Sequence, residues 1–447
     1  MAGERVDRSV GHRPGAAHAE RVELHAGDLA SRGTRARGCS QLRNFRAAVS
    51  DEIISIEEAR RRVLALCRPL EPEDVALERA LGRTLAHDVV AAGDVPPYAG
   101  SAMDGFAILA GPAGRSLAIV AESSAGHPSD AAVEEGHAIR ISTGAAVPGG
   151  ATAVIRVEDT SEADGHVTIH AATEPGRNLR AAGEDVRAGT TVLRAGAELG
   201  AAELGVAAGA GVAALPCTRR PRVAVLATGD ELVEPGQPLR HGQLHDSNAL
   251  TLGALAIQAG AEVVVRGSVA DRRAETAAAL DEALTAADVV VVSGGVSVGP
   301  HDHVKPALAQ LGVRESFWRV ALQPGKPTWF GTREDRLVFG LPGNPVSAMV
   351  TFLLFARPAL RALQGLAPLP PRERAALAQP ARRQRDREQA LRVRLEPSPE
   401  GPPRALTTGS QLSHILTSML GADALAFVAP GEGELAVGEA VEVERIR

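Results

Sequence analysis

The sequence predicts a multidomain protein of the α/β plus β class, with a central three-layer α/β/α domain, β-rich domains before it and a β domain after it. Three observations carry this. From Arg222 to about Leu363, continuous apolar runs alternate with helical periodicity, as in a parallel sheet covered by helices on both faces. Upstream, from Val89 to about Leu215, short alternating stretches are cut by Gly and Pro at roughly ten-residue intervals. Downstream, a Pro/Arg-rich stretch, APLPPRERAALAQPARRQRDR, reads as a linker to a β-patterned segment that closes with AVEVER.

The elements follow in order. Ser55–Cys67 places Ile56, Ala59, Val63 and Leu66 at helical spacing. Its Ser55 N-cap, with Glu58 three residues on, reads as a capping box. A second helix is expected at 76–87, and HVTIH at 166–170 reads as a strand. In the central domain, strands are predicted at 223–227, 262–266 and 288–292, and helices at 249–258, 274–286 and 304–311. Ligands of such sheets bind at the carboxyl ends of the strands. The first ~50 residues are Arg-rich and without apolar period, and are expected to be a disordered tail. They lack the apolar core of about 7–15 residues that a secretory signal requires.

Composition excludes several classes. The 447 residues carry a net charge of -6 and only eight Phe, two Trp and one Tyr, which argues against nucleic acid as a partner. No stretch reaches the ~18 uninterrupted apolar residues of a membrane span. Cys39, Cys67 and Cys217 form no CxxC pair, which suits a reducing, cytoplasmic setting and offers no zinc cluster.

The strongest local motif is SGGVSVGPHD at 293–302, directly after a Val-rich strand. Gly294, Gly295 and Gly299 let backbone amides approach an anion, Ser297 adds a hydroxyl, and the next helix start adds positive partial charge. An ordinary strand–helix turn is the competing reading. Carboxylates recur at the predicted strand ends: Asp230 and Glu231, Asp246, Asp271 and Asp302. Clustered acids repel unless a cation lies between them, so Mg²⁺ bridging phosphates is expected. Asp246 reads equally well as the cap of the helix that follows. In QPGKP (323–327), two prolines fix a turn that holds the Lys326 ammonium in place, while LPGNPVS (341–347) is a second rigid turn that starts a helix at Ser347. Asp104, in SAMDGF, and Glu184, in GED, sit in Gly-rich turns that are as readily structural as functional. No Walker A or HExxH motif is present.

Taken in order, SAMDGFAI, TGAAVPGGATAVIRVED, GRNLRAAGEDVRAG, ATGDEL, HDSN, SGGVSVGPHDHV, QPGKPTWFG and GLPGNPVSAM resemble the molybdopterin molybdenumtransferases, a family that includes the E domain of gephyrin. The resemblance spans about residues 51–447. It implies an elongated homodimer of four-domain subunits, with 51–92 and 180–217 forming a discontinuous N-terminal domain, 93–179 inserted in it, 218–365 the catalytic domain similar to molybdopterin adenylyltransferase, and 366–447 the C-terminal domain. It implies a reaction in which molybdate, as co-substrate, enters adenylyl-molybdopterin with release of AMP and help from Mg²⁺. Carried over, Gly294, Gly295, Ser297, Gly299, Asp230, Asp246 and Asp271 bind the pterin or AMP. Asp302 is the main catalytic carboxylate and, with Asp230, a metal ligand. Lys326, Pro327, Ser347, Arg392 and Ser413 bind molybdate. Asp104 and Glu184 act from the opposite subunit or shape the cleft. Further expected partners are other cofactor-synthesis proteins and apo-molybdoenzymes. Thr152 and Pro300 stand where the family often has acids, and Ala390 where it often has an aromatic. Two other readings remain at this stage: an adenylyltransferase or nucleotide pyrophosphatase built on the same α/β domain, and a non-catalytic scaffold. Fold alone does not decide between them.

Overall fold

The computed structural model describes residues 53–296, 302–399 and 401–446. The expected N-terminal tail and Cys39 lie outside them. Helix α1 (Ile56–Leu64) opens on Ser55, whose hydroxyl accepts from the Glu58 amide at 3.1 Å. The capping box is only half formed, because the Glu58 carboxylate takes the guanidiniums of Arg61 and Arg62 instead. The predicted helix at 76–87 is absent. Strand β1 (Pro72–Ala76) is followed by a single 3₁₀ turn at Leu77–Arg79. β1 pairs with a strand more than a hundred residues later, and Thr84 and Leu85 bridge to Glu198 and Cys217, so non-local pairing takes the place of the local helical pattern.

Six strands then build an antiparallel-dominated sheet: β2 (Gly105–Ile108), β3 (Ser116–Ser123), β4 (His137–Ile141), β5 (Ala153–Arg156), β6 (Thr160–Ala163) and β7 (His166–Ile169). Their spatial order is β5-β2-β4-β3-β7-β6, with β3 and β4 parallel. At Thr152 the hydroxyl accepts from the Ala110 amide at 2.7 Å, which gives that residue a structural task. The helix α2 (Ala201–Gly209), which the β-rich expectation missed, precedes β8 (Ala214–Thr218), the partner of β1.

The central stretch of chain comes next. It contains β9 (Arg222–Thr228), α3 (Asn248–Gln258), β10 (Glu262–Val269), α4 (Arg273–Ala286), β11 (Val289–Ser293), α5 (Val304–Gln310), β12 (Arg314–Trp318), β13 (Leu322–Gln323), β14 (Trp329–Arg333) and β15 (Arg336–Leu341). The order β10-β9-β11-β15 is parallel, and β14 and β12 extend it antiparallel. The expected parallel sheet is therefore mixed at one edge. Burial explains the alternation, since β9 and β11 lose both faces to helices and read as unbroken apolar runs. One face packs on α1, α3 and the continuous helical segment α6 (Pro345–Thr351), a π turn (Phe352–Ala356) and α7 (Arg357–Leu363). The other face packs on α4 and α5. The segment Pro345–Leu363 has the length and hydropathy of a membrane span, but it is mostly buried inside this core.

The Arg-rich stretch after Leu363 is not simply a linker, because 372–377 forms a strand. Strands β16 (Arg372–Leu377), β17 (Glu388–Glu396), β18 (Arg404–Thr407), β19 (Ala424–Val428) and β20 (Ala440–Arg445) run β17-β18-β16-β20-β19, and β19 pairs back with β17 to close a barrel. Strand β13, which leads into the Lys326 turn, adds parallel to β17. That pairing ties the central unit to the C-terminal one.

Candidate active site

At the carboxyl ends of β9 and β11 the model has a cleft of about 510 Å³. Its walls include Glu231, Asp246, Asp271, Asp302, Gly294, Gly295 and Pro327. Six residues expected from sequence (Asp246, Asp271, Gly294, Gly295, Asp302 and Pro327) thus converge. Asp230 belongs to the same corner, its Oδ1 accepting from the Asp271 amide at 3.1 Å. Ser297 and Gly299 lie outside the described residues.

Local chemistry explains the shape. Gly294 has φ +93°, and a Cβ there would sit 2.8 Å from both the carbonyl oxygen and the Oγ1 of Thr228. Only glycine lets the two strand ends approach so closely. The Ser293 hydroxyl donates to the Pro342 carbonyl at 3.0 Å, and the Gly294 amide donates to Leu341, locking the loops after β11 and β15 together. Asp246 does cap its helix, its Oδ1 accepting from the Ala249 amide at 3.0 Å, and it lines the cleft as well. Burial, with the negative charges of Asp230 and Glu231 close by, pushes the Asp271 carboxyl above its ordinary range. These oxygens are hard donors. No group of three or more His, Cys, Asp or Glu among the described residues surrounds a single metal position. Such a donor set fits Mg²⁺, which keeps water ligands and is held by one or two carboxylates together with substrate phosphates.

Pro327 of the Lys326 turn also lines the cleft, whereas Lys326, Ser347 and Ser413 are not among its lining residues. The Lys326 carbonyl accepts from Val320 and the Gly325 carbonyl accepts from the Thr328 hydroxyl at 2.6 Å, so the turn is fixed by its own backbone. Lys326 is partly exposed beside Pro327. At the start of α6, Asn344 lines the cleft and donates through Nδ2 to the Ser413 hydroxyl at 2.9 Å, while the Ser413 carbonyl accepts from Val346. Ser347 is buried within α6, only 4% exposed.

Arg392 does not line the cleft. It is fully buried, and burial lowers its pKa to about 10. Its guanidinium donates to Ser418 Oγ and to the carbonyls of Ser410 and Leu412, bracing the loop that carries Ser413. Asp104 and Glu184 also lie away from the cleft in this chain. Each accepts from a nearby amide, Thr143 at 2.7 Å and Ala181 at 3.1 Å. Among the lining residues that sequence reasoning left without a role are Thr228, Asn248, Ser293 and Asn344. Thr228 and Ser293 are the last residues of their strands, and that position was the signal available.

A three-layer α/β unit with acids and glycine-lined amides at its strand ends, next to a rigid lysine turn, defines the class of proteins that bind phosphorylated ligands and oxyanions in a strand-end cleft. Three family models divide the chain between them: the MoeA N-terminal region (domain I and II) over residues 54–211, a probable molybdopterin binding domain over 224–362, and the MoeA C-terminal region (domain IV) over 374–446. The molybdopterin molybdenumtransferase of Haemophilus influenzae is 36% identical over 398 residues, covering 88% of this chain and 98% of that protein. Molybdopterin molybdenumtransferase 2 of Mycobacterium tuberculosis is 37% identical over 402 residues, covering 87% and 98%. A solved molybdopterin biosynthesis MoeA protein from Pyrococcus horikoshii superposes with a TM-score of 0.76 at 30% identity, covering 89% of this chain and all of that one. The chain belongs to the molybdopterin molybdenumtransferase family.

Proposed function

We propose that the protein is a transferase of molybdenum cofactor biosynthesis that inserts molybdate into adenylyl-molybdopterin and releases AMP. The carrying observation is the convergence of Asp246, Asp271, Gly294, Gly295, Asp302 and Pro327 on one cleft inside the segment that matches the molybdopterin binding domain. In this reading the amides of the Gly294–Gly295 loop face the phosphate, and Asp230 and Asp302 hold a divalent cation. When bound, Mg²⁺ supplies neutralisation of the charge that develops as the phosphoanhydride is cleaved. Lys326 and Pro327 present molybdate from the opposite wall, and Ser413 and Ser347 order the helix start beside it. A dianion is suited to an ammonium held by a rigid turn and to oriented hydroxyls. Arg392 is read as bracing the Ser413 loop rather than touching the anion.

Asp104 and Glu184 enter as residues that a second copy brings to the cleft, and a homodimer is part of the proposal. The unit boundaries 51–92 with 180–217, 93–179, 218–365 and 366–447 are proposed with it, as are a cytoplasmic setting and hand-over to apo-molybdoenzymes. Purified protein with Mg²⁺ and molybdate is expected to release AMP from adenylyl-molybdopterin. Absence of AMP release above the protein-free rate would defeat the assignment, and substituting tungstate measures metal preference in the same assay.

A further inference from the structure

We infer that Asn248 and Thr228 form a pair that reads the amino-pyrimidinone edge of the pterin, an inference that rests on the transferase reading of the cleft. Both residues line it. The Asn248 carboxamide is fixed by its surroundings. Its Nδ2 donates to the Gly343 carbonyl at 2.7 Å and to Ser293 Oγ at 2.9 Å, and the Ser293 hydroxyl has already spent its proton on Pro342. Both partners are acceptors, so the nitrogen must face them and Oδ1 must face the other way. That Oδ1 is buried and has no hydrogen-bond partner among the described residues.

Thr228 tells the same story at the end of β9. The residue is only 8% exposed, and its Oγ1 is buried with no hydrogen-bond partner among the described residues. The hydroxyl rests against Gly294 and Gly295, where added Cβ atoms would approach it to 2.8 and 3.0 Å. A buried polar atom left without a partner is costly, and a native fold retains it where a ligand supplies the missing bond. The carboxamide oxygen can only accept. Its natural complement is a donor, and the 2-amino group and ring N–H of a pterin present adjacent donors on one edge. Thr228, able to give or accept, takes a neighbouring polar atom of the same ring. Phosphate oxygens only accept and offer Oδ1 nothing, whereas the ribose hydroxyls and adenine amino group can donate, and the AMP arm of the test separates them from the pterin.

The test is calorimetric binding to the full chain of three probes: pterin-6-carboxylate, lumazine-6-carboxylate, which carries an oxo group in place of the 2-amino group, and AMP. Wild-type protein is expected to prefer the pterin over the lumazine by about five- to tenfold, the scale of one hydrogen bond. Asn248→Ala should erase that preference while leaving AMP affinity within about twofold. Thr228→Val removes a hydroxyl that has no partner among the described residues, so it should keep or raise Tm while weakening the pterin severalfold, which separates recognition from folding damage. A pterin preference that survives Asn248→Ala, or a loss confined to AMP, would overturn the inference and leave the transferase reading intact. Wild-type protein that binds neither pterin nor AMP would bring down the reading of the cleft itself, and this inference with it.

Discussion

The molecule keeps charge in two contrasting places. Where α1 meets the C-terminal barrel, Arg60 forms a bidentate pair with Glu444 at 2.6 Å and donates from Nε to the Leu354 carbonyl. Arg372 adds a contact to Glu444 at 3.1 Å and another to Glu442 at 2.6 Å. Arg60 and Glu444 are 4% and 2% exposed. Burial alone would raise the Glu444 carboxyl, but the two guanidiniums hold it below the usual range. The strand-end cleft differs. Glu231, Asp246, Asp271 and Asp302 line it together, burial and the neighbouring Asp230 and Glu231 push Asp271 upward, and among the described residues the polar atoms Asn248 Oδ1 and Thr228 Oγ1 have no hydrogen-bond partner. A buried pair that satisfies itself marks a structural joint, and a carboxylate raised in a cleft marks a candidate ligand site.

The largest effect separating the two regions is expected from Glu444→Gln. Removing one partner of a buried pair should cost about 3–5 kcal/mol in denaturant unfolding, with no change in KM for the protein that remains folded. The joint also has a pH signature. The folded pKa of Glu444 is depressed, so its stabilisation is present above the unfolded value near ~4.3 and is lost as pH falls through the folded pKa. Stability that stays flat through that acid range would contradict this account.

Asp302→Ala should lower the rate of AMP release by about a thousandfold, on the scale of losing one charge-organising group, while Tm stays close to that of the parent. Normal turnover would remove Asp302 from the chemistry. A smaller, more specific change is expected of Lys326→Ala: the molybdate concentration needed for half-maximal rate should rise about 10- to 100-fold, with pterin binding unaffected. An unchanged molybdate dependence would place the oxyanion elsewhere.

The mildest effect belongs to Asp271. Its folded pKa is raised, so its contribution to stability is full below the unfolded value near ~3.9 and is lost as pH rises through the folded pKa. At neutral pH the ionised carboxylate therefore disfavours the metal-free fold. Asp271→Asn should raise Tm by about 1–2 °C without added cation, and added Mg²⁺ should stabilise the parent more than the variant. A variant that melts below the parent would mean Asp271 is structural.

Much of the central unit was legible because both faces of its strands are buried. Val289–Val292 are fully buried, and a strand covered on both sides must be apolar throughout. The sparse aromatics also make sense, since Phe317, Phe330 and Phe339 stack in succession inside this core at centroid distances of 5.6 and 4.9 Å rather than offering a stacking surface. Residues 76–87 failed for the opposite reason: their apolar spacing suits a helix, but Thr84 and Leu85 bridge to the distant backbones of Glu198 and Cys217. Arg392 misled in a similar way. Its molybdate role came from the resemblance alone, and only the folded structure reveals that its guanidinium, carried on β17, donates to the Ser410 and Leu412 carbonyls of a loop further along the chain.

By itself, the sequence determined the order of elements in the α/β unit, the acids and glycines at its strand ends and the family to which the chain belongs. All of these are written locally, in runs of apolar residues and in turns whose backbone demands glycine or proline. Tertiary structure alone decided which strand ends meet, that β19 closes on β17, and that Pro327 and Asp302 line one cleft although separate turns carry them. It also decided which polar atoms are left without partners. Those outcomes depend on distances between segments far apart in the chain, and a linear pattern carries no distances.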